Sequence, residues 1–312
     1  MVTISEELKK AKIVKKSLIT IGVFDGVHMG HKSLMNRLVL QAKSQNLTSG
    51  VVTFSNHPRT VVSKNFQPNY LTSVEERLRL IKETGVDFVV PIKFTKEVAS
   101  LKAENFTKLL RSELNMNGLM VGPDFQMGKD REGDVSKLKT LSKEQGFTLS
   151  VIDVKEIEGL TVRSTSVRDA LGQGKIEEAT KILGRNHSLE GNIVEGEKRG
   201  RDLGFPTANF DVSSDLCIPA NGIYATFIYV NGKQYLSATS IGTNPTFDFK
   251  QHTVETYIMS FEQDIYGLRP KLEFVSKLRD EIAFNSIEEL VEQMKHDVKK
   301  AKNILMVSQE TI

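Results

Sequence analysis

Along residues 17–154 the hydrophobic positions fall into two alternating rhythms. Continuous apolar, β-branched runs at 17–24, 51–54, 87–94, 118–122 and 147–154 read as buried strands. Between them apolar residues return every three or four positions, as at Leu34, Leu38 and Ala42 within 32–42, and again in 103–114 and 135–145. That period predicts helices. Thr72 and Glu75 stand at capping-box spacing and open a helix to about Thr84. Strand and helix alternating in this order predict an α/β domain, a parallel sheet covered on both faces. Ligands of such sheets bind at the carboxyl ends of the strands.

The rhythm changes near residue 160. Thr165 or Ser166 caps a short helix ending at Gly172, Gly172-Gln173-Gly174 turns, and 175–183 is a second short helix. The boundary falls around 184–188, giving a first domain of 1–184 and a second of 185–312. Beyond it come strand-like stretches at 188–194, 223–230, 234–241, 252–260 and 271–275. Asn231-Gly232 between two alternating runs predicts a two-residue hairpin. Closely spaced antiparallel strands predict a small β-barrel. A terminal helix follows, with Ser286 and Glu289 at capping-box spacing and Ile287, Leu290, Val291, Met294 and Val298 on one stripe, expected to pack against the barrel. No internal repeat or low-complexity segment is visible.

Composition narrows the class. The chain has 312 residues, 39% hydrophobic and 26% charged, enough for two packed domains. No apolar run approaches a membrane span, and no signal-like apolar core follows the early lysines. Cys217 is the single cysteine, so no internal disulfide forms. A cytoplasmic protein with no membrane partner is expected. The net charge is +3 with Lys and Arg spread through the chain, and there is no tryptophan. The run of Lys9, Lys10, Lys12, Lys15 and Lys16 reads as a solvated helix face. A nucleic-acid partner is therefore not expected, and oligomeric state is left open by these patterns.

The chemistry concentrates where the first strand gives way to the first helix, at Gly22-Val23-Phe24-Asp25-Gly26-Val27-His28-Met29-Gly30-His31. Glycines permit close backbone approach, and a new helix offers unpaired N–H groups to a phosphate. His28 and His31, three apart, both face such an anion. Zinc ligands, for which no cysteine lies near to complete a set, and ordinary polar residues at a helix start are the competing readings. A second candidate anion site is Arg163-Ser164-Thr165-Ser166-Val167-Arg168, hydroxyls and a guanidinium at a helix start, for which simple capping is the competing reading. In the second half, Thr207 and Asn209 of Gly200-Arg201-Asp202-Leu203-Gly204-Phe205-Pro206-Thr207-Ala208-Asn209 lie two apart and share one face of an extended segment. A hydroxyl and an amide oxygen suit magnesium; a merely polar strand face is the alternative.

These strings carry a resemblance. Residues 22–31 resemble the His-x-Gly-His turn of the nucleotidyltransferases, in the longer form of the branch that adenylylates FMN. Ser164, Thr165 and Arg168 resemble that family's triphosphate motif, with Arg163 where a serine is usual. Thr53-Phe54-Ser55-Asn56-His57-Pro58 and Gly122-Pro123-Asp124-Phe125-Gln126-Met127-Gly128 resemble two more of its segments, with departures at Asn56, Gln126 and Met127. Residues 200–209 resemble the riboflavin kinase motif. Gly222-Ile223-Tyr224, Gly242-Thr243-Asn244-Pro245-Thr246-Phe247, Val254-Glu255, Asp264-Ile265-Tyr266-Gly267 and Arg279 follow in that family's order. Over about 17–305 the chain resembles the bifunctional bacterial riboflavin kinase and FAD synthetase family.

The resemblance implies a Rossmann-like nucleotidyltransferase domain and a β-barrel kinase domain with a terminal helix. It implies riboflavin, FMN, FAD and ATP as ligands and Mg2+ as cofactor. Glu255 would be the kinase base, and His28, His31 and Arg168 would stabilise the triphosphate. Gly22, Phe24, Asp25, Gly30, Asp124, Phe125, Ser164, Thr165, Gly200, Gly204, Thr207, Asn209 and Arg279 would contact nucleotide or flavin, with Thr207 and Asn209 also at the metal. Two other readings fit the departures: a kinase with a weak or altered adenylyltransferase, and a flavin-binding regulator without catalysis.

Overall fold

Thr3 and Glu6 form a capping box that starts helix α1 (Ile4–Lys9). The lysine run beyond it is solvated but not helical. Only Lys9 lies on the helix, and Lys12 has φ 49°. The computed structural model describes residues 3–153, 156–157, 160–196, 200, 203–243 and 252–310. They divide into one unit of 1–68 and 73–163 and another of 69–72 and 164–312.

The first unit continues with β1 (Ser17–Gly22), α2 (Met29–Ser44), β2 (Thr48–Phe54), α3 (Arg59–Val62), α4 (Val74–Lys82) and β3 (Phe88–Ile92). After these come α5 (Lys96–Ser100), α6 (Ala103–Leu114), β4 (Met116–Val121), α7 (Val135–Gln145), β5 (Thr148–Val151) and the short pair β6 (Glu156–Ile157) and β7 (Leu160–Thr161). The five longer strands form a parallel sheet in the order β3-β2-β1-β4-β5. Strand alternation sorts its faces. Ile19 and Ile21 of β1 pack with Leu8, Phe106, Leu110 and Leu138 on one side. Leu18 packs with Met35, Leu38 and Leu80 on the other. The strand order reverses direction beside β1, and that switch point is where an open α/β sheet opens a crevice.

Two caps differ from the sequence expectation. The helix Ser164–Gly172 already contains Thr165 and Ser166, so neither is its cap. Helix α4 is capped by Ser73, whose hydroxyl accepts from the Glu76 N–H at 3.1 Å, not by Thr72 with Glu75. Both pairs have the same spacing, and the one-residue shift buries Arg77, Leu80 and Ile81.

The second unit contains α8 (Ser164–Gly172), α9 (Ile176–Leu183), β8 (His187–Glu190), β9 (Asn192–Val194), β10 (Thr207–Asp211), β11 (Gly222–Val230), β12 (Lys233–Thr243), β13 (His252–Ile258), β14 (Lys271–Arg279) and α10 (Ile287–Glu310). Its seven strands are ordered β8-β14-β11-β12-β13-β10-β9, antiparallel throughout. The two outermost strands are halves of one segment broken at Gly191. The expected barrel is therefore a curled half-barrel, whose two edge strands share that corner and have no ladder between them among the described residues. A Cβ at Gly191 would stand 2.7 Å from the Asp211 carbonyl oxygen, which explains the glycine at this corner. The Asn231-Gly232 hairpin forms as expected, with φ 51° and 77° at its two turn residues.

Helix α10 only partly follows its predicted stripe. Ala301 and Leu305 pack on Ala225, Phe227 and Leu278 of the sheet, while Ile287 is 63% exposed. Helix α9 buries Ile176, Ala179, Ile182 and Leu183 and packs against β8 and β14. Residues 69–72 are built into this unit as well. Tyr70 donates its N–H to the Asp215 carbonyl and accepts from the Cys217 N–H, both at 2.7 Å.

Candidate active site

The turn after β1 is conformationally strained. Phe24 and Val27 have φ 51° and 39°, and Gly26 has φ 77°. Such backbone costs on the order of 1–3 kcal/mol per residue and persists where surrounding structure dictates it. Here Phe24 and Val27 are buried in the sheet–helix core, and Thr53 Oγ1 donates to the Val23 carbonyl at 3.1 Å. A Cβ at Gly22 would collide with the Phe24 ring at 2.8 Å.

The turn delivers two histidines to the start of α2. His28 is the N-cap, its Nδ1 accepting the His31 N–H at 3.4 Å. The rings stack with centroids 3.6 Å apart, and Phe24 presents its ring edge-on to His31. Burial, with His28 alongside, holds the His31 pKa well below the ordinary imidazole value, so His31 is neutral at pH 7. Its Nδ1 is sealed from solvent with no hydrogen-bond partner among the described residues. The N-terminus of a 16-residue helix lies at this pair, an arrangement suited to phosphate.

Asp124 and Phe125 follow β4, the other strand of the switch point. Asp124 is exposed, and Arg163 approaches it at 3.9 Å. The departures from the family pattern have local partners. Asn56 grips the Phe94 backbone, accepting its N–H at 2.8 Å and donating to its carbonyl at 3.0 Å. Met127 is buried and pairs with Gly133, while Gln126 is exposed.

Ser164, Thr165 and Arg168 belong to the second unit, on α8. Arg168 Nε donates to the Asn69 carbonyl at 2.6 Å, so this guanidinium also holds the 69–72 segment.

Antiparallel register builds the remaining site. β10 and β13 pair Asn209 with Glu255 and Thr207 with Tyr257, gathering all four on one face. Thr207 Oγ1 donates to Glu255 Oε2 at 3.3 Å. Asn209 is packed against Gly196, where a Cβ would stand 2.3 Å from its amide nitrogen. Two cavities flank Thr207. One, of about 300 Å³, is lined by Phe205, Glu255, Tyr257, Arg279, Phe284 and Met294, with Gly200 at its edge. The other, of about 370 Å³, is lined by Ile193, Pro206, Phe261, Asp264 and Tyr266. Gly204 turns the entering loop with φ 82°. Arg201, Asp202 and residues 244–247 of the motifs lie outside the described residues.

Sequence reading missed Asp297. It sits in the apolar stripe of α10 between Met294 and Ala301, is 5% exposed, and pairs with Arg279 through bonds of 2.7–3.1 Å. A lone carboxylate on a helix's buried face is a signal that spacing alone could have supplied.

The chain matches the FAD synthetase family model over residues 10–166 and the riboflavin kinase family model over 183–305. Among curated proteins it is 33% identical to the bifunctional riboflavin kinase/FMN adenylyltransferase of Listeria monocytogenes, over 90% of each chain. It is 34% identical to the protein of that name from Escherichia coli, again over 90% of each. It also superimposes with TM-score 0.87, at 29% identity, on a crystal structure described as a macrolide-efflux protein from Streptococcus pneumoniae, covering 95% of this chain and 97% of that one. Efflux describes that protein. In this chain no helix among the described residues is long and apolar enough to cross a membrane. Two family models in tandem and relatives alike across nine-tenths of their length place the chain in the family of bifunctional riboflavin kinase/FMN adenylyltransferases.

Proposed function

We propose that this protein makes FAD from riboflavin in two steps, with riboflavin phosphorylated in the curled sheet and FMN adenylylated at the β1–α2 turn, the activities dividing between residues 184 and 185. The observation that carries the kinase step is Thr207, which lines both cavities and donates to Glu255 in the wall of the 300 Å³ one. The cavity with Phe205, Tyr257 and Phe284 takes the flavin ring, and the one beside Asp264 and Tyr266 takes ATP. Glu255 accepts the proton of the 5′-hydroxyl as its oxygen bonds to the γ-phosphorus and ADP leaves.

Thr207 and Asn209 would hold Mg2+. The pair offers a hydroxyl and an amide oxygen, hard donors, on one face. That fits an ion which keeps waters and binds chiefly through substrate phosphates. When bound it neutralises charge on the transferred group.

At the other centre an FMN phosphate oxygen attacks the α-phosphorus of ATP and pyrophosphate leaves. The α2 N-terminus, His28 and His31 bind the polyphosphate; Ser164, Thr165 and Arg168 at the start of α8 are phosphate-binding candidates of their own unit. Gly22, Phe24, Asp25 and Gly30 shape the turn, and Asp124 and Phe125 border it. We place both steps in the cytoplasm, where riboflavin and ATP meet.

Riboflavin, ATP and magnesium incubated with the protein should yield FMN and then FAD on chromatography. Glu255→Gln retains size and hydrogen bonding but takes no proton at neutral pH. Phosphorylation should fall by about 10²–10⁴-fold while adenylylation of supplied FMN is unchanged. Undiminished phosphorylation by the variant would remove Glu255 from the mechanism.

A further inference from the structure

The Arg279–Asp297 pair has a property that the reaction itself does not require. Asp297 takes Nε and Nη2 of the guanidinium and is further fixed by Gln293, which donates to Oδ1 at 2.9 Å. Arg279 Nη1 donates to the Asp280 carbonyl at 2.9 Å. One N–H on each terminal nitrogen is then left over among the described residues. Both side chains line the 300 Å³ cavity, together with Glu255 and Glu281. Three carboxylates and one guanidinium are its only charged lining groups among the described residues, and Asp297 cancels the cation.

Riboflavin is neutral, whereas its product carries a phosphate dianion on the hydroxyl that reacted. Bound in the same cavity, that dianion lies at Thr207 and Glu255, facing described lining residues of net negative formal charge. We infer that Asp297 is a positioning and charge-cancelling residue that makes the flavin cavity select neutral riboflavin over anionic FMN, so that the product leaves. The paired Arg279 keeps its position and hydrogen-bond donors for the flavin without offering a net positive charge to the phosphate. The inference rests on the kinase reading above.

The test uses the full chain and initial rates of ADP release, which phosphorylation produces and adenylylation does not. Riboflavin is varied with FMN as competitor, giving the ratio of the FMN inhibition constant to the riboflavin KM. In Asp297→Asn the guanidinium charge is uncovered. The riboflavin KM should rise, and the ratio should fall by about tenfold, the scale of one charge interaction across a partly wet cavity. Arg279→Gln removes the cation instead, so its ratio should rise. Asp297→Glu should return the ratio towards the parent value even where KM stays raised.

A merely structural role predicts that both constants rise together, leaving the ratio fixed. That result, or a ratio moving in the same direction in Asp297→Asn and Arg279→Gln, overturns the inference. Should Asp297→Asn fail to fold, an unchanged or lowered ratio in Arg279→Gln overturns it alone. No ADP release by the parent protein with riboflavin would overturn the kinase reading itself, whereas normal parent turnover with fixed ratios would overturn only the role of Asp297.

Discussion

His28 and His31 show how a residue's chemistry is set by its immediate surroundings. Burial, with His28 stacked alongside, favours neutral His31, and its Nδ1 has no hydrogen-bond partner among the described residues. A buried polar atom without a hydrogen bond costs about 1–3 kcal/mol, a cost tolerated most readily where function uses the group. His31→Ala should therefore reduce FAD formation from FMN by ~10²–10³-fold, as loss of a preorganised charge-stabilising contact does. FMN formation should be unaffected. Separate assays of the two half-reactions check this, and wild-type adenylylation would leave His31 with a role in the turn alone. The position of both histidines at a helix start was legible because a single strand-to-helix turn fixes it. Glu255 was legible only through resemblance, since its partner Thr207 is 48 positions away and the register of β10 on β13 brings them together.

At the scale of the element, most strands and helices were visible in periodicity, and their ends were decided by caps and corners. Helix α4 starts at Ser73 because the hydroxyl there reaches the Glu76 N–H while the following residues meet the core. Ser73→Ala should lower the stability of the protein by about 1 kcal/mol, measured as a reduced denaturant midpoint, whereas Thr72→Ala tests no cap at all. Strand 188–194 was expected as one piece and is two, because Gly191 carries the chain round a corner from one edge of the curled sheet to the other. The apolar stripe of α10 divides its work. Leu290, Met294 and Val298 line the cavity, while Ala301 and Leu305 pack on the strands.

For the whole molecule, the division of activities and the division of packing are separate matters. The two family models cover 10–166 and 183–305, and the proposed division of the chemistry lies at 184, yet α8, α9 and residues 69–72 pack with the curled sheet. A fragment of 164–312 should phosphorylate riboflavin and make no FAD. A fragment of 185–312 loses the cover of Ile176, Ala179, Ile182 and Leu183, all at most 2% exposed, and should melt at a lower temperature than 164–312. Equal midpoints for the two would show that α9 adds nothing to the sheet's stability. The sequence by itself determined the two kinds of fold, the order of the elements and the local motifs, because periodicity, glycine placement and strand-to-helix turns are short-range properties of the chain. Tertiary structure alone decided the pairing of Arg279 with Asp297, the two cavities meeting at Thr207, and the insertion of 69–72 beside Leu216. Each depends on which distant segments the sheet brings side by side, and register and curl are set by packing the whole unit rather than by any stretch of residues within it.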